Sequence, residues 1–193
     1  DAGVSAARAA VVSGFTSTSD LEAGMRYGIR CVGTSAHAFT LLHDDERTAF
    51  DSQIASLGVG TTILVDTYDI ARGVQRAVDA AKAAGGTLGA VRLDSGDLVA
   101  EAFKVRAQLD SLGCPDTKIV VTSDLDEYAI AALGAAPVDI YGVGTKLVTG
   151  SGVPTAALVY KMVERENSAG EMEKVAKKSS GGKSSVGGRK TAG

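Results

Sequence analysis

A short apolar run in the middle of the chain ends in polar residues whose chemistry suits a sugar ligand. Residues 88–93 read as a buried strand, Asp-Ser-Gly-Asp follows at 94–97, and a helical pattern opens directly afterwards. In parallel α/β folds, ligands bind outside the carboxyl ends of strands, where loop side chains and helix amides converge. Asp94 and Asp97 could hold hydroxyl groups, and Arg92 could hold an anion or a flat ring.

The same residues also have a purely structural interpretation. Asp94 or Ser95 could cap the following helix, and Asp97 would favour the positive end of its dipole. Gly96 fits either case, because it permits a tight turn as well as a close backbone approach to a ligand. From this stretch alone, a sugar site and a helix cap both stay open.

Composition and length indicate a globular protein. The chain has 193 residues, of which 45% are hydrophobic and 22% charged, and no apolar run approaches the length of a membrane span. Its first residues carry neither an initiator Met nor a signal-peptide pattern, so we expect the chain to be the middle of a larger protein. Cys31 and Cys114 belong to no zinc or disulfide motif. A reducing cytoplasm is the predicted location.

Charge is distributed unevenly along the chain. The net charge is -3, but six Lys and Arg and no acidic residue occur from Lys174 onward, so the preceding part sums to -9. We predict a barrel domain at residues 1–163 and a basic, Gly/Ser/Lys-rich C-terminal segment at 164–193. No aromatic residue interleaves the basic ones of the tail, which favours a solvated segment over a nucleic-acid-binding one.

Strand and helix patterns alternate through most of the chain. Apolar or β-branched runs predict strands at residues 14–19, 29–34, 61–65, 88–93, 118–122, 138–141 and 155–163. Periodic apolar patterns predict helices at residues 5–13, 21–27, 35–42, 45–57, 70–84, 98–112 and 127–133.

This alternation implies an α/β fold with a parallel sheet, which we interpret as an incomplete (β/α) barrel. A complete barrel usually needs about 250 residues. The alternative is an open doubly wound sheet, but its Gly-x-Gly-x-x-Gly motif is missing, since Leu147 stands where the third Gly would be.

In such a barrel, the polar strand ends share one face, where phosphate sites use glycine-containing loops and helix starts. The candidate phosphate-binding residues are Ser123, Asp124, Gly142, Gly144 and Thr145. Gly142 and Gly144 could instead serve only a tight turn.

The chain contains two histidines. His43 lies in a charged stretch that reads as a solvated helix junction, whereas His37 follows a predicted strand and a run of small residues. A lone histidine near an apolar segment is more often structural than catalytic. His37 is therefore a candidate catalytic residue only because of the other motifs in the chain.

Four motifs, one of which contains His37, occur along the chain. They are Gly-Thr-Ser-Ala-His-Ala-Phe at 33–39, Arg-Leu-Asp-Ser-Gly-Asp at 92–97, Thr-Ser-Asp-Leu-Asp-Glu-Tyr at 122–128 and Tyr-Gly-Val-Gly-Thr at 141–145. In this order and approximate spacing, they resemble the nicotinate phosphoribosyltransferase family. The resemblance runs from about residue 14 into the tail, where 182–184 and 188–190 are also similar.

The resemblance implies a fold and a set of roles. The fold is a barrel of the type II phosphoribosyltransferase kind. His37 is the implied site of phosphorylation by ATP, Arg92 faces the pyridine ring, Asp94 faces the ribose hydroxyls, and the late glycine loop grips the 5′-phosphate. The further implied substrate-binding residues are Ser95, Gly96, Thr18 and Thr34.

The implied reaction joins nicotinate to phosphoribosyl pyrophosphate, giving nicotinate mononucleotide and pyrophosphate for NAD biosynthesis, with ATP hydrolysis coupled through a phosphohistidine. ATP and Mg²⁺ are the implied cofactors and a homodimer is the implied assembly, without a protein-held metal, a nucleic acid or a membrane. Carboxylates near the ribose and cations near the pyrophosphate suit its transition state.

The chain departs from the family pattern in two respects. The family begins with a further domain that supplies aromatic and basic groups. We expect this domain to be absent from the chain, and the isolated chain to be inactive. Asp20 also stands where the family more often has Asn.

Two other functions stay open. One is a quinolinate phosphoribosyltransferase-like enzyme, which makes the same mononucleotide without ATP. The Gly-Thr-Ser-Ala-His motif and the scarcity of clustered Lys and Arg at strand ends disfavour it. The other is a non-catalytic barrel that binds phosphosugars.

Overall fold

The structure, a computed structural model, describes residues 2–150, 152, 155–156, 158–179 and 183–191. Its helices are α1 Ala2–Val12, α2 Leu21–Tyr27, α3 His37–Leu42, α4 Glu46–Leu57, α5 Ile70–Ala83, α6 Leu98–Ser111, α7 Glu127–Leu133 and α8 Thr145–Thr149. Its strands are β1 Thr62–Leu64, β2 Ala90–Leu93, β3 Lys118–Val121, β4 Ile140–Tyr141, β5 Glu164–Glu166 and β6 Met172–Lys174. None of these helices combines the length and apolar character that a membrane crossing requires.

Four strands form a parallel sheet in the order β1-β2-β3-β4, which is also their order along the chain. Val91 is in register with Ile63 on one side and Ile119 on the other, and all three are fully buried. Apolar runs of this kind form parallel strands because helices cover both faces of such a sheet. All four carboxyl ends therefore lie at one edge. The predicted α/β class is confirmed, whereas no closed barrel is found among the described residues.

The crossover helices bury their apolar stripes against this sheet. In α5 the buried positions include Val74, Ala77 and Val78, spaced at helical intervals. The loop before β2 passes close to the loop before β1, because a Cβ on Gly89 would lie 2.3 Å from the carbonyl oxygen of Gly60. The absence of a side chain at residue 89 therefore lets the two loops approach each other.

Aspartates begin most of the helices. Each of five N-cap carboxylates accepts a hydrogen bond from the amide three residues later, and these residues are Asp20, Asp45, Asp69, Asp97 and Asp126. The prediction that Asp94 or Ser95 caps α6 is wrong, because the helix begins at Leu98 and its cap is Asp97. Asp94 is thereby left free for other contacts.

Three predicted strands are wrong. Residues 14–19 and 29–34 contain a single parallel bridge, between Thr18 and Cys31, because two isolated parallel segments have too few ladder bonds to extend. The described residues of 155–163 form no strand, and Ala157 lies outside the described part. Strand β5 begins instead at Glu164.

The C-terminal segment folds back on the body of the protein. Strands β5 and β6 form an antiparallel hairpin, and Arg165 pairs with Asp44 at 2.8 Å. The expectation of a solvated tail is wrong for Lys177 and Ser179, which are buried. Residues 180–182, which include Gly182 of the predicted family motif, lie outside the described residues.

Candidate active site

Polar residues from the ends of β1, β2 and β3 contact one another at the carboxyl edge of the sheet. Asp66 follows β1, Asp94 follows β2, and Thr122 follows β3. Helix α3 adds His37, its first residue, to this group. We refer to these four residues as the strand-end cluster. The cluster lies where parallel α/β proteins bind their ligands.

Asp66 joins two of the strand ends. Its carboxylate is 1% exposed and accepts hydrogen bonds from the amide of Asp94, at 3.1 Å, and from the hydroxyl of Ser95. Its second oxygen, Oδ1, is buried and has no hydrogen-bond partner among the described residues. The β1 end thus fixes the start of the loop that carries Asp94, and one carboxylate oxygen stays available.

His37 lies between the two carboxylates. Its Nδ1 is 3.1 Å from the hydroxyl of Thr67, which is fully buried. Its Nε2 is 3.8 Å from Oδ1 of Asp66 and 3.9 Å from Oδ2 of Asp94. Within the described part of the chain, this buried Nε2 has no hydrogen-bond partner. The ring is therefore anchored through one nitrogen while the other stays unengaged beside two acids.

Asp94 is held in its ionised form. Burial by itself raises the pKa of this carboxyl group, but the neighbouring His37 ring, the hydroxyl of Thr122 and the charges of Lys183 and Arg92 outweigh that effect. The net result is a pKa well below the ordinary value for aspartate. The hydroxyl of Thr122 donates directly to Oδ1. Asp94 is therefore a fixed negative charge and a hydrogen-bond acceptor at neutral pH.

Arg92 supplies a half-buried cation on the same strand end. Its Nη1 donates to the hydroxyl of Thr34, so the loop before α3 is attached to β2. Burial lowers the pKa of the guanidinium, and the charges of Asp94 and Asp66 oppose that effect. The buried Nε has no partner among the described residues. This donor and the flat guanidinium face suit an anionic or aromatic ligand.

The turn after β3 has a strained backbone. Ser123 has φ 107° and Asp124 has φ 50°, both in the left-handed region that costs non-glycine residues about 1–3 kcal/mol. Such turns direct successive amides into concave anion-binding sites. The hydroxyl of Ser123 accepts a hydrogen bond from Nζ of Lys183 at 2.7 Å. This geometry is compatible with the predicted phosphate role of Ser123 and Asp124.

The glycine loop after β4 packs beside that turn. A Cβ on Gly142 would lie 2.6 Å from Cγ2 of Thr122, so the absence of a side chain allows the contact. Gly144 is exposed and has open space around it, and Thr145 begins the short helix α8, which the sequence did not predict. Gly96, with φ 85°, lets the chain turn from Ser95 toward α6.

Thr18, one of the predicted substrate-binding residues, has no hydrogen bond to the strand-end cluster among the described residues. Its hydroxyl accepts a hydrogen bond from the amide of Asp20 at 3.1 Å, and its backbone bridges to Cys31. These local contacts stabilise the start of α2.

Sequence reasoning missed several members of the site. Asp66 and Thr67 come directly after an apolar strand, the same signal that led to Asp94, but no family motif covered them. Lys183 lies in the segment 182–184 that resembles the family, but the sequence assigned it no role in the site. Across the described residues, no group of three or more His, Cys, Asp or Glu side chains could hold a metal ion.

Fold and site together define an α/β protein with a parallel sheet and a carboxylate-histidine-cation cluster at its strand ends. In sequence, the chain is 53% identical over 190 residues to nicotinate phosphoribosyltransferase PncB1 of Mycobacterium tuberculosis, covering 94% of this chain and 42% of that protein. It is 43% identical over 171 residues to nicotinate phosphoribosyltransferase of Bacillus subtilis, covering 86% of this chain and 35% of that protein. The chain belongs to the nicotinate phosphoribosyltransferase family.

Solved structures share this fold. The human nicotinic acid phosphoribosyltransferase superposes with a TM-score of 0.63 at 24% identity, over 73% of this chain and 40% of that one. A nicotinate-nucleotide pyrophosphorylase from Pyrococcus furiosus gives 0.64 at 30% identity, over 75% of this chain and 38% of that one. No protein-family model matches the chain. The chain spans about two-fifths of the length of these curated relatives.

Proposed function

We propose that this chain carries the strand-end site of a nicotinate phosphoribosyltransferase. The reaction joins nicotinate to phosphoribosyl pyrophosphate and yields nicotinate mononucleotide and pyrophosphate, in the biosynthesis of NAD. Hydrolysis of ATP is coupled to it through a phosphorylated His37. The name of the relatives at 53% and 43% identity supports the activity, and the geometry of His37 supports the coupling.

The position of the His37 ring is the observation that carries the proposal. When Nδ1 carries the proton and donates it to Thr67, 3.1 Å away, Nε2 holds the lone pair. That nitrogen is buried and has no hydrogen-bond partner among the described residues. It is therefore the nucleophile that attacks the terminal phosphorus of ATP, so that an N–P bond forms as ADP leaves, and water later releases the phosphate from the ring. Asp66 and Asp94 lie within 3.9 Å of this nitrogen and stabilise the positive charge that the ring gains.

The sugar and the base are assigned to β2. Asp94 is ionised and anchored by Thr122, so it accepts hydrogen bonds from the ribose hydroxyls and orients the anomeric carbon. Arg92 lies two residues earlier, on the same side of the strand, and binds the carboxylate or the flat ring of nicotinate. Negative charge beside the ribose also favours the oxocarbenium character of the transition state.

The phosphate is assigned to the ends of β3 and β4. The left-handed turn at Ser123 and Asp124 and the glycine loop at 142–145 lie next to each other, as the contact of Gly142 with Thr122 requires. Backbone amides from the two loops then converge on the 5′-phosphate, with the start of α8 at Thr145.

The residues present fit a magnesium ion that arrives with substrate phosphates. Magnesium is usually held by one or two carboxylates together with phosphate oxygens, and Asp66 and Asp94 supply carboxylate oxygens beside His37. Oδ1 of Asp66 is buried without a hydrogen-bond partner in the described structure. When bound, the ion neutralises phosphate charge.

The proposal also includes the barrel fold, the oligomeric assembly and the cellular location of the enzyme. Four consecutive parallel strands in chain order, without the reversal of a doubly wound sheet, support a segment of a (β/α) barrel. We assign the enzyme to the cytoplasm as a homodimer that binds neither nucleic acid nor membrane.

The test uses the full-length protein with ATP labelled on its terminal phosphate. We expect acid-labile label on the wild type, none on His37→Ala, and unchanged labelling of His43→Ala, whose ring bonds the carbonyl of Phe39 instead. His37→Ala should keep slow, ATP-independent formation of nicotinate mononucleotide. Label on His37→Ala would refute the phosphohistidine, and turnover of quinolinate in place of nicotinate would support the alternative enzyme.

A further inference from the structure

The C-terminal tail contacts three neighbouring strand ends. The amide of Lys178 donates to the carbonyl of Thr67 at 2.9 Å, beside the anchor of His37. The ammonium of Lys183 donates to the carbonyl of Asp94 at 2.8 Å and to the hydroxyl of Ser123 at 2.7 Å. One segment therefore touches the ends of β1, β2 and β3.

The position of Lys183 is fixed by the local structure of the tail. The amide of Lys177 donates to the hydroxyl of Ser185, and the amide of Ser185 donates to the carbonyl of Lys177, both at 2.9 Å. These reciprocal bonds hold Ser185, two residues after Lys183, beside Lys177. The ammonium also lies 3.7 Å from Oδ2 of Asp94.

We propose that Lys183 is a positioning residue for the sugar-phosphate half of the site, acting through Asp94 and Ser123. The proposal rests on the proposed function, in which Asp94 binds the ribose and Ser123 the phosphate.

Two properties of the site give Lys183 this role. Ser123 has φ 107°, which a serine adopts only when surrounding contacts hold it, and the bond from Lys183 is such a contact. Asp94 is a half-buried carboxylate, and the Lys183 ammonium, 3.7 Å from its Oδ2, is a cation that favours its charged form. One ammonium therefore stabilises the turn and the carboxylate together.

The tail stays attached to the sheet edge through bonds other than those of the Lys183 ammonium. The backbone bond from Lys178 to Thr67 and the reciprocal bonds of Lys177 do not involve the Lys183 side chain. Lys183→Met keeps an aliphatic stem of similar length and removes only the charge and the donors. Lys183→Arg keeps the charge.

The experiment compares Lys183→Met and Lys183→Arg with Lys190→Met, a matched change at an exposed tail lysine that bonds only the nearby Gly187 carbonyl among the described residues. Binding of ribose 5-phosphate is measured by calorimetry, and steady-state kinetics are measured in the full-length protein. We expect Lys183→Met to weaken binding and lower kcat/KM for phosphoribosyl pyrophosphate, each by about 10- to 100-fold. Lys183→Arg should restore most of the binding and most of the kcat/KM. The KM for nicotinate should stay unchanged in both Lys183 variants.

The outcomes separate this proposal from the proposed function. Lack of nicotinate turnover by the wild type refutes the function, while a selective loss of ribose 5-phosphate binding in Lys183→Met still supports the positioning role. Equal affinity in wild type and Lys183→Met, or no detectable affinity in the wild type, refutes the positioning role. A loss that Lys183→Arg does not relieve, with a lower melting temperature, also refutes it.

Discussion

The carboxylate of Asp66 accepts a hydrogen bond from the backbone amide of Asp94 at 3.1 Å, so the residue after one strand sets the position of the residue after the next. The bond runs parallel to the sheet ladder but lies beyond it, because β1 ends at Leu64 and β2 ends at Leu93. A side chain thereby continues the pairing of the strands into the loops that carry the site.

Removal of this carboxylate should destabilise the fold. Asp66→Ala loses hydrogen bonds to a buried charge, each worth about 1.5–3 kcal/mol, and leaves the Asp94 amide without its acceptor. We expect the free energy of unfolding in urea to fall by about that amount. The control is Asp116→Ala, at an exposed position, where the change should stay within about 0.5 kcal/mol. Equal effects of the two variants would contradict the structural role.

Thr67 should control the reactivity of His37 without contributing to the reaction itself. Thr67→Val keeps the shape of the side chain but removes the hydrogen-bond partner of Nδ1, so the ring loses the contact that anchors it. We expect the rate of His37 labelling by ATP to fall roughly 10- to 100-fold, the size of effect seen when partners that orient a histidine are removed.

The matched control for this change is Thr40→Val. Thr40 is equally buried, but its hydroxyl has no hydrogen-bond partner among the described residues, so labelling should not change. A similar loss of labelling in both variants would show that packing, not the hydrogen bond to Nδ1, is responsible.

Asp94 should contribute to stability as well as to transfer. Its pKa is lowered in the folded state, so its contribution is fully present above the unfolded-state pKa of about 3.9 and declines as the pH falls toward the folded-state pKa. The difference in unfolding free energy between wild type and Asp94→Asn should therefore shrink on acidification below about pH 4.

Asp94→Asn should also lower nucleotide formation at neutral pH by more than about tenfold, because a charge-assisted contact with the ribose is lost. A large drop in melting temperature with transfer intact would assign Asp94 a purely structural role. A pH-independent difference in stability would contradict the lowered pKa.

The approach of the two loops at Gly89 should tolerate no side chain. In Gly89→Ala the new methyl group would meet the carbonyl oxygen of Gly60 at 2.3 Å, and backbone atoms must move to relieve the clash. We expect a loss of about 1–3 kcal/mol in the free energy of unfolding, as for other overpacked positions. Gly60→Ala, which meets open space, is the control and should be far milder. Equal melting temperatures would refute the close approach.

Sequence patterns predicted the elements that build the sheet. Helices α2 and α7 have the predicted bounds, and β1, β2 and β3 lie within the predicted runs, because caps such as Asp20 and apolar β-branched runs are local signals. The strands expected at 14–19 and 29–34 did not form beyond one bridge, since strand formation depends on the length of a partner and not on the run itself.

The site was predicted only where a motif marked it. His37, Arg92 and Asp94 come together as expected, although their chemical roles stay predictions. The resemblance covered Lys183 at 182–184 but gave it no contact, because its bonds to Asp94 and Ser123 span 89 and 60 residues of sequence. A hydrogen bond between residues so far apart in sequence leaves no pattern in the local composition. The Gly/Ser-rich residues around the lysine also favour disorder in the absence of the sheet.

The reach of the tail has a consequence for the order in which the molecule is assembled. The sheet residues of β1, β2 and β3 leave the ribosome well before Lys183, and domains fold as their segments become available during synthesis. A nascent chain that has emerged only as far as α8 therefore contains the paired strands but lacks the cation that engages Asp94 and Ser123. The site is completed only after Lys183 has been synthesised, so binding competence lags behind formation of the sheet.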